Sequence, residues 1–201
     1  ERVTLMDIVP VTLEGQFVRM EPLAESHLDG LCAAGLDPAL WRWSMDPMRD
    51  REDMAKYLAT ALADRARGVS LPFATVARSS GQVIGSTRFG NIDRGNRRVE
   101  IGWTWLGRAW QRTAANSEAK YLMLRHAFQA WGCLRVELKT DVLNQQSRNA
   151  MLRLGAKEEG ILRSHMLSWE GRRRDSIYYS ILDTEWPAVK SKLEDRAERE
   201  R

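Results

Sequence analysis

Apolar Met54, Tyr57, Leu58, Ala61 and Leu62 recur at 3.6-residue spacing and the run closes at Gly68, which predicts a one-sided helix over 52–67. A second helix is expected over 24–34. Ahead of it, residues 15–22 alternate as a strand does and stop at Pro22. Residues 71–78, 82–92 and 98–106 read as three strands joined by a Ser-Ser-Gly turn and a loop rich in Arg, Gly and Asn, an antiparallel meander. The period then changes. Residues 116–131 read as a helix that is apolar almost all round, with only Glu118, Arg125 and Gln129 as a polar strip and Gly132 as its stop. A strand at 135–140, a short helix at 147–154 ending at Gly155, and two strands, ILRSHMLSW and SIYYSIL, joined through EGRRR, follow in turn. Trp186-Pro187 opens a last helix, whose alternating Glu, Asp and Arg read as a solvated face. The order predicts an α/β fold with a mixed sheet carrying helices, in a single domain over 1–201.

Composition narrows the function classes. The 201 residues are 43% hydrophobic and 29% charged, as in a soluble globular domain. No run approaches the ~18 apolar residues of a membrane helix, and the first ten residues lack the form of a secretory signal. No membrane partner is expected. Cys32 and Cys133 suit neither a disulfide scaffold nor a metal site, and are expected as small buried side chains in a cytoplasmic protein. Three separated histidines argue against a metal cluster, so no metal is expected. The net charge of +4 favours an anionic partner. Its basic residues are scattered among nearly as many acidic ones, against nucleic acid as the primary partner.

The candidate anion site is WQRTAANSEA, residues 110–119, a basic turn running into a helix. Backbone N–H groups at a helix start and the positive end of its dipole hold phosphate. By itself the stretch is equally a capped helix with no ligand.

Three segments in order, VEIGWTWL, WQRTAANSEAKYLMLRHAF and RVELKTDVLNQQSRNAMLRLGAKEEG, resemble the GCN5-related N-acetyltransferases (GNAT). Within that family they are most similar to the branch of the ribosomal-protein N-acetyltransferases RimJ and RimL, and the likeness extends over roughly 15–188. It implies a mostly antiparallel central sheet with one splayed parallel strand pair, flanked by helices. It also implies acetyl-CoA, or another acyl-CoA, as cosubstrate. The acceptor would be an amine, either a peptide N-terminus or a small molecule, and a homodimer is left open. The family's Q/R-x-x-G-x-G/A loop falls on Gln111, Arg112, Thr113, Ala114, Ala115 and Asn116, followed by Ser117; its glycines fall on Ala114 and Asn116, a departure from the pattern. Glycine is needed there only for positive φ or direct contact of the ligand with Cα. Arg108 and Arg112 can add charge-assisted bonds to phosphate, and Thr113 or Asn116 can cap the helix.

The same likeness places the pantetheine arm along Trp103, Thr104 and Trp105 and against Asn144. Seven residues on, where many members carry a Tyr acid, stands Met151; Ser147 is the substitute donor, with a helix cap as its plain alternative. Glu100 is the expected base, an ion pair with Arg97 or Arg98 being the alternative. His165 is a second choice near the acceptor, and His126 reads as a packed core residue. Trp41 and Trp43 line the acceptor groove or simply pack, whereas Trp103 and Trp105, two apart, share a face as core. Direct attack of the amine is expected because no Cys–His pair is placed for an acyl-enzyme. Two rival readings remain: a catalytically weak CoA-binding or regulatory module, suggested by Met151 and the missing glycines, and a nucleic-acid-binding domain, suggested by pI alone.

Overall fold

A computed structural model describes residues 6–199; the first five and last two residues, and with them the ends of the expected 1–201 domain, lie outside the described residues. Strands β1 (Leu13–Glu14) and β2 (Val18–Pro22) lead into helix α1 (Leu28–Gly35), entered through a 3-10 turn at Glu25–His27. Helix α2 (Arg51–Ala66) starts where Asp50 accepts a hydrogen bond from the Asp53 amide, with Glu52 and Asp53 favourably placed in its first turn. The meander follows as β3 (Leu71–Ala77), β4 (Val83–Asp93) and β5 (Arg98–Leu106). Helix α3 (Ala114–Arg125) widens into a π turn at His126–Ala130 and stops at Gly132, whose φ of 61° suits glycine. The remainder is β6 (Arg135–Asp141), α4 (Gln145–Leu154), β7 (Lys157–Leu167), β8 (Arg173–Leu182) and α5 (Trp186–Arg199). Among the described residues no helix is long and apolar enough to cross a membrane.

The expected elements are all present, with shifted ends. Helix α3 begins two residues early because Thr113, not Asn116, is the cap, and α4 begins at Gln145 because Asn144 caps it. The last hairpin turns at residues 168–172, ahead of the expected EGRRR.

All eight strands join one sheet in the order β1-β2-β3-β4-β5-β6-β8-β7, antiparallel throughout except at β5–β6. Two apolar layers cover it. On one side α3 and α5 bury Met123, Leu122, Trp186 and Val189 against Phe73, Phe89, Val136 and Tyr179. On the other side α1 and α2 bury Leu31, Met54 and Leu58 against Ala74, Val76 and Trp105. Among the described residues that second side carries no helix beyond β5: α4 and α5 meet the opposite face, where Arg148 reaches the Tyr179 hydroxyl. The result is an open polar sheet face on β6, β8 and β7.

Candidate active site

The parallel pairing of β5 and β6 is short. Arg98, Val99 and Glu100 face Arg135, Val136 and Glu137, and then the two strands run on to Leu106 and Asp141 without pairing to each other. A gap with unpaired strand edges results, and its backbone donors and acceptors need partners from solvent or a ligand. A β-bulge bends β5 at this place: Arg88 pairs with Gly102 and Ser86 with Trp105, so two residues of β5 oppose Thr87 alone. Trp103 takes a φ of 51° there, a left-handed value rare for a large side chain.

The bulge corrects the expectation that Trp103 and Trp105 are both core. Trp105 is buried against Trp41 at a ring separation of 5.3 Å, so in the gap it can offer only backbone. Trp103 is 45% exposed, its ring lying between the Arg88 guanidinium and the Lys139 ammonium. Its seat exists because residue 90 is glycine; a Cβ there would stand 2.4 Å from the indole. Thr104 turns to the opposite face, where its hydroxyl meets those of Thr87 at 2.8 Å and accepts from Lys120 of α3.

Glu100 stands at the mouth of the gap, 2% exposed. Its Oε2 accepts from Asn91 Nδ2 at 2.6 Å and Lys139 Nζ at 3.2 Å. The alternative pairing with Arg97 or Arg98 does not form: Arg97 donates to the Gly132 carbonyl, while Arg98 reaches Asp93 and Glu137. A Cβ on Gly102 would stand 3.1 Å from Glu100 Oε1, so glycine keeps that second oxygen clear.

At the other end of β5, the basic turn carries free backbone donors into α3. Thr113 Oγ1 accepts from the Ala115 amide and donates to the Trp110 carbonyl, fixing the first turn. Gln111 donates to the Leu106 carbonyl and closes the loop. Positive φ falls on Arg112, at 61°, and not on Ala114 or Asn116, which are helical. The missing glycines are therefore not needed for backbone shape. Ser117 completes the first turn, half-buried like Asn116. Arg108 differs from expectation: Asp37 holds its guanidinium through contacts at 2.9 and 3.1 Å.

Asn144 follows the end of β6 and accepts from the Ser147 amide at 3.2 Å, so it, and not Ser147, is the cap of α4. That leaves the Ser147 hydroxyl outside the capping bond. Met151 packs on the main core.

His165, expected near the acceptor, lies on β7 beside the open polar face. His165 Nδ1 lies 3.0 Å from Ser176 Oγ, and its ring meets Tyr178 edge-on. Tyr178 in turn lies against Lys139, which links His165 to the Glu100 pair. Trp43 is half-buried, with Arg42 and Arg172 over its ring, and Arg172 also reaches the buried Asp141. Trp41 is not a groove residue: it is 7% exposed, and its Nε1 donates to the Gly35 carbonyl. His126 sits 4.8 Å from Trp131 and near Phe89, and burial holds its imidazole below the usual value. Cys133 is buried and its thiol is pushed up to about 12, whereas Cys32 is half-buried. Lys139, Asn91, Tyr178 and Arg174 surround Glu100 or share its face and were not singled out in the sequence; for Lys139 the alternation of Glu137, Lys139 and Asp141 on one strand face was the available signal.

Residues 18–157 match the acetyltransferase (GNAT) domain family. The chain is 31% identical over 110 residues to the "Putative ribosomal N-acetyltransferase YdaF" of Bacillus subtilis (strain 168), covering 55% of this chain and 59% of that relative. It is 27% identical over 177 residues to the "Uncharacterized N-acetyltransferase p20" of Bacillus licheniformis, covering 87% and 98%. Among solved structures, a GCN5-related N-acetyltransferase from Brucella melitensis superposes with a TM-score of 0.87 at 33% identity, covering 93% of this chain and 85% of that one. RimJ of Mycobacterium smegmatis, solved in complex with CoA-disulfide, shares the fold at a TM-score of 0.80 and 22% identity, covering 94% and 95%.

Proposed function

The chain belongs to the GNAT acetyltransferase family, and from that premise we propose that it is an N-acyltransferase moving an acetyl group from acetyl-CoA to a primary amine. The observation that carries this reading is the unpaired gap between β5 and β6, with Glu100 at its mouth and the capped start of α3 at its far end. The residues fit the cosubstrate. The amides of Ala114 and Asn116, on either side of Ala115, whose own amide Thr113 takes, would hold the pyrophosphate with the Arg112 guanidinium. The unpaired edge of β5 from Gly102 to Thr104, with Asn144, would hold the pantetheine arm. The thioester supplies an activated acyl group.

The chain's own part is to position, desolvate and move a proton. Backbone N–H groups of β5 at the bulge polarise the acyl carbonyl. Glu100 takes the proton of the incoming ammonium, directly or through water, on its uncovered Oε1. Lys139 and Asn91 hold Oε2, so the carboxylate keeps one orientation. Ser147, its hydroxyl free of the capping role, donates toward the leaving thiolate. Trp43 and His165 border the amine, while Trp41 and Trp105 support the wall from within the core. The acceptor would be a peptide N-terminus or a small amine, met in the cytoplasm, where free Cys32 and Cys133 stay reduced. One domain over 1–201 carries all of it.

Glu100→Gln tests this reading. It keeps the shape and the Asn91 contact but removes the base. Turnover is expected to fall by about 10²-fold or more, with CoA affinity within a factor of about two. An unchanged rate across pH would remove Glu100 as base. CoA binding without thiol release on any amine would favour the rival reading of a regulatory module, which Met151 motivates.

A further inference from the structure

Arg174 lies on β8 in the open polar face and is 8% exposed. Its Nε is buried with no hydrogen-bond partner. Asp141 and Glu100 both attract its guanidinium, and Arg172 repels it. Neither carboxylate hydrogen-bonds it: Asp141 holds Arg172 and the Leu143 amide, while Oε2 of Glu100 holds Lys139 and Asn91. Burial holds the proton affinity of Arg174 below the usual arginine value.

A buried guanidinium with an unfilled donor is costly to the fold, and native structures keep few such groups without a reason. Its two-pronged N–H fork matches a carboxylate. The site is also the right one for a reactant. Arg174, Ser176 and Tyr178 alternate on one face of β8, and Tyr178 packs on Lys139, which holds Glu100, so Arg174 looks onto the same face as the base. The other buried guanidinium nearby, Arg88, also has a buried Nε without a hydrogen-bond partner, but its Nη1 meets Asp64 at 3.6 Å and it lies over Tyr57 and Trp103.

We propose that Arg174 receives a carboxylate carried by one of the two reactants, making the site selective for an amine that bears an acidic group, such as an amino acid or an acidic peptide. This rests on the acyltransferase reading. The same carboxylate could instead arrive on the acyl chain, and the arms of the test separate the two sources.

The first arm needs no turnover. Arginine Nε resonances are followed while succinate is added, and Arg174→Lys identifies the signal of Arg174. That signal is expected to shift with saturation; an unmoved signal overturns the proposal. The second arm compares kcat/KM for one amine as free acid and as its amide with acetyl-CoA, and for succinyl-CoA against acetyl-CoA with an uncharged amine. A preference of about tenfold or more is expected for the acid over its amide, collapsing in Arg174→Met; a preference seen only with succinyl-CoA moves the carboxylate to the acyl chain. If Arg174→Met is unstable in a melt, Arg174→Lys, which keeps the charge and loses the fork, carries the comparison. No preference in either arm, or one that survives substitution, overturns the proposal. A succinate shift without thiol release from any pair would leave the anion site standing and remove the acyltransferase reading.

Discussion

Glu118 links α3 to the edge of the sheet, and removing it has a calculable effect. Its carboxylate accepts from the amides of Gln16, Phe17 and Val18 at 2.6, 2.7 and 2.7 Å. Hydrogen bonds to a charged group are worth about 1.5–3 kcal/mol each. The Gln16 bond is exposed and water can replace it, so the two half-buried bonds set the scale, about 3–6 kcal/mol in all for Glu118→Ala. At about 2–4 °C per kcal/mol for a chain of this size, the midpoint falls by on the order of 10 °C in a calorimetric melt. Glu118→Gln keeps one acceptor oxygen and should lose about half as much. Gly15 supplies an internal control. A Cβ there would stand 2.3–2.7 Å from the Glu118 carboxylate atoms, which three donors hold in place. Gly15→Ala therefore costs about 1–3 kcal/mol in the native background and close to nothing after Glu118→Ala, a non-additive pair. A Glu118→Ala midpoint within about 2 °C of the parent, or equal Gly15→Ala costs in both backgrounds, would refute this reasoning.

Other substitutions probe the site and the core. Arg112→Ala is expected to weaken CoA binding about tenfold with a shallower salt dependence in titration calorimetry, while Arg108→Ala, whose charge Asp37 already engages, changes it much less. Ser147→Ala should slow thiol release with little change in melting, since Asn144 caps α4; a normal rate would leave Ser147 with no chemical part. The imidazole of His126 is lowered below its ordinary 6.5 by burial. The unfolded chain therefore binds that proton first as pH falls below about 6.5, and stability declines with acid from there. In His126→Phe that part of the pH dependence of the melting midpoint should disappear.

The fold was largely legible because its signals are local. The spacing of Met54, Leu58 and Ala61 and the stop at Gly68 mark α2 from the chain alone. So do the alternating runs of the meander and the stop at Gly132. The motif also led to the gap that forms the candidate site: the turn at 110–117, Glu100 and Asn144 all lie along it or at its ends. What escaped depends on pairing between distant segments. A bulge adds one residue without altering composition, so Trp-Thr-Trp reads as plain alternation while Trp103 turns out to the surface. Glu118 reads as a solvated strip residue until β2 is brought against it. Lys139 and Arg174 gain meaning only when β6 and β8 are laid beside β5. Trp41 sits in an irregular segment whose course into the second core has no periodicity to read.

The central claim is acyl transfer to an amine across the β5–β6 gap. The most direct measurement is mass spectrometry of products after incubating the chain and acetyl-CoA with amines in free-acid and amide form, alongside Glu100→Gln. The account predicts that the products gain one acetyl group each, in step with free CoA, and that both signals fall together by about 10²-fold in Glu100→Gln. Free CoA without an acetylated amine, or equal product from the two proteins, would contradict it.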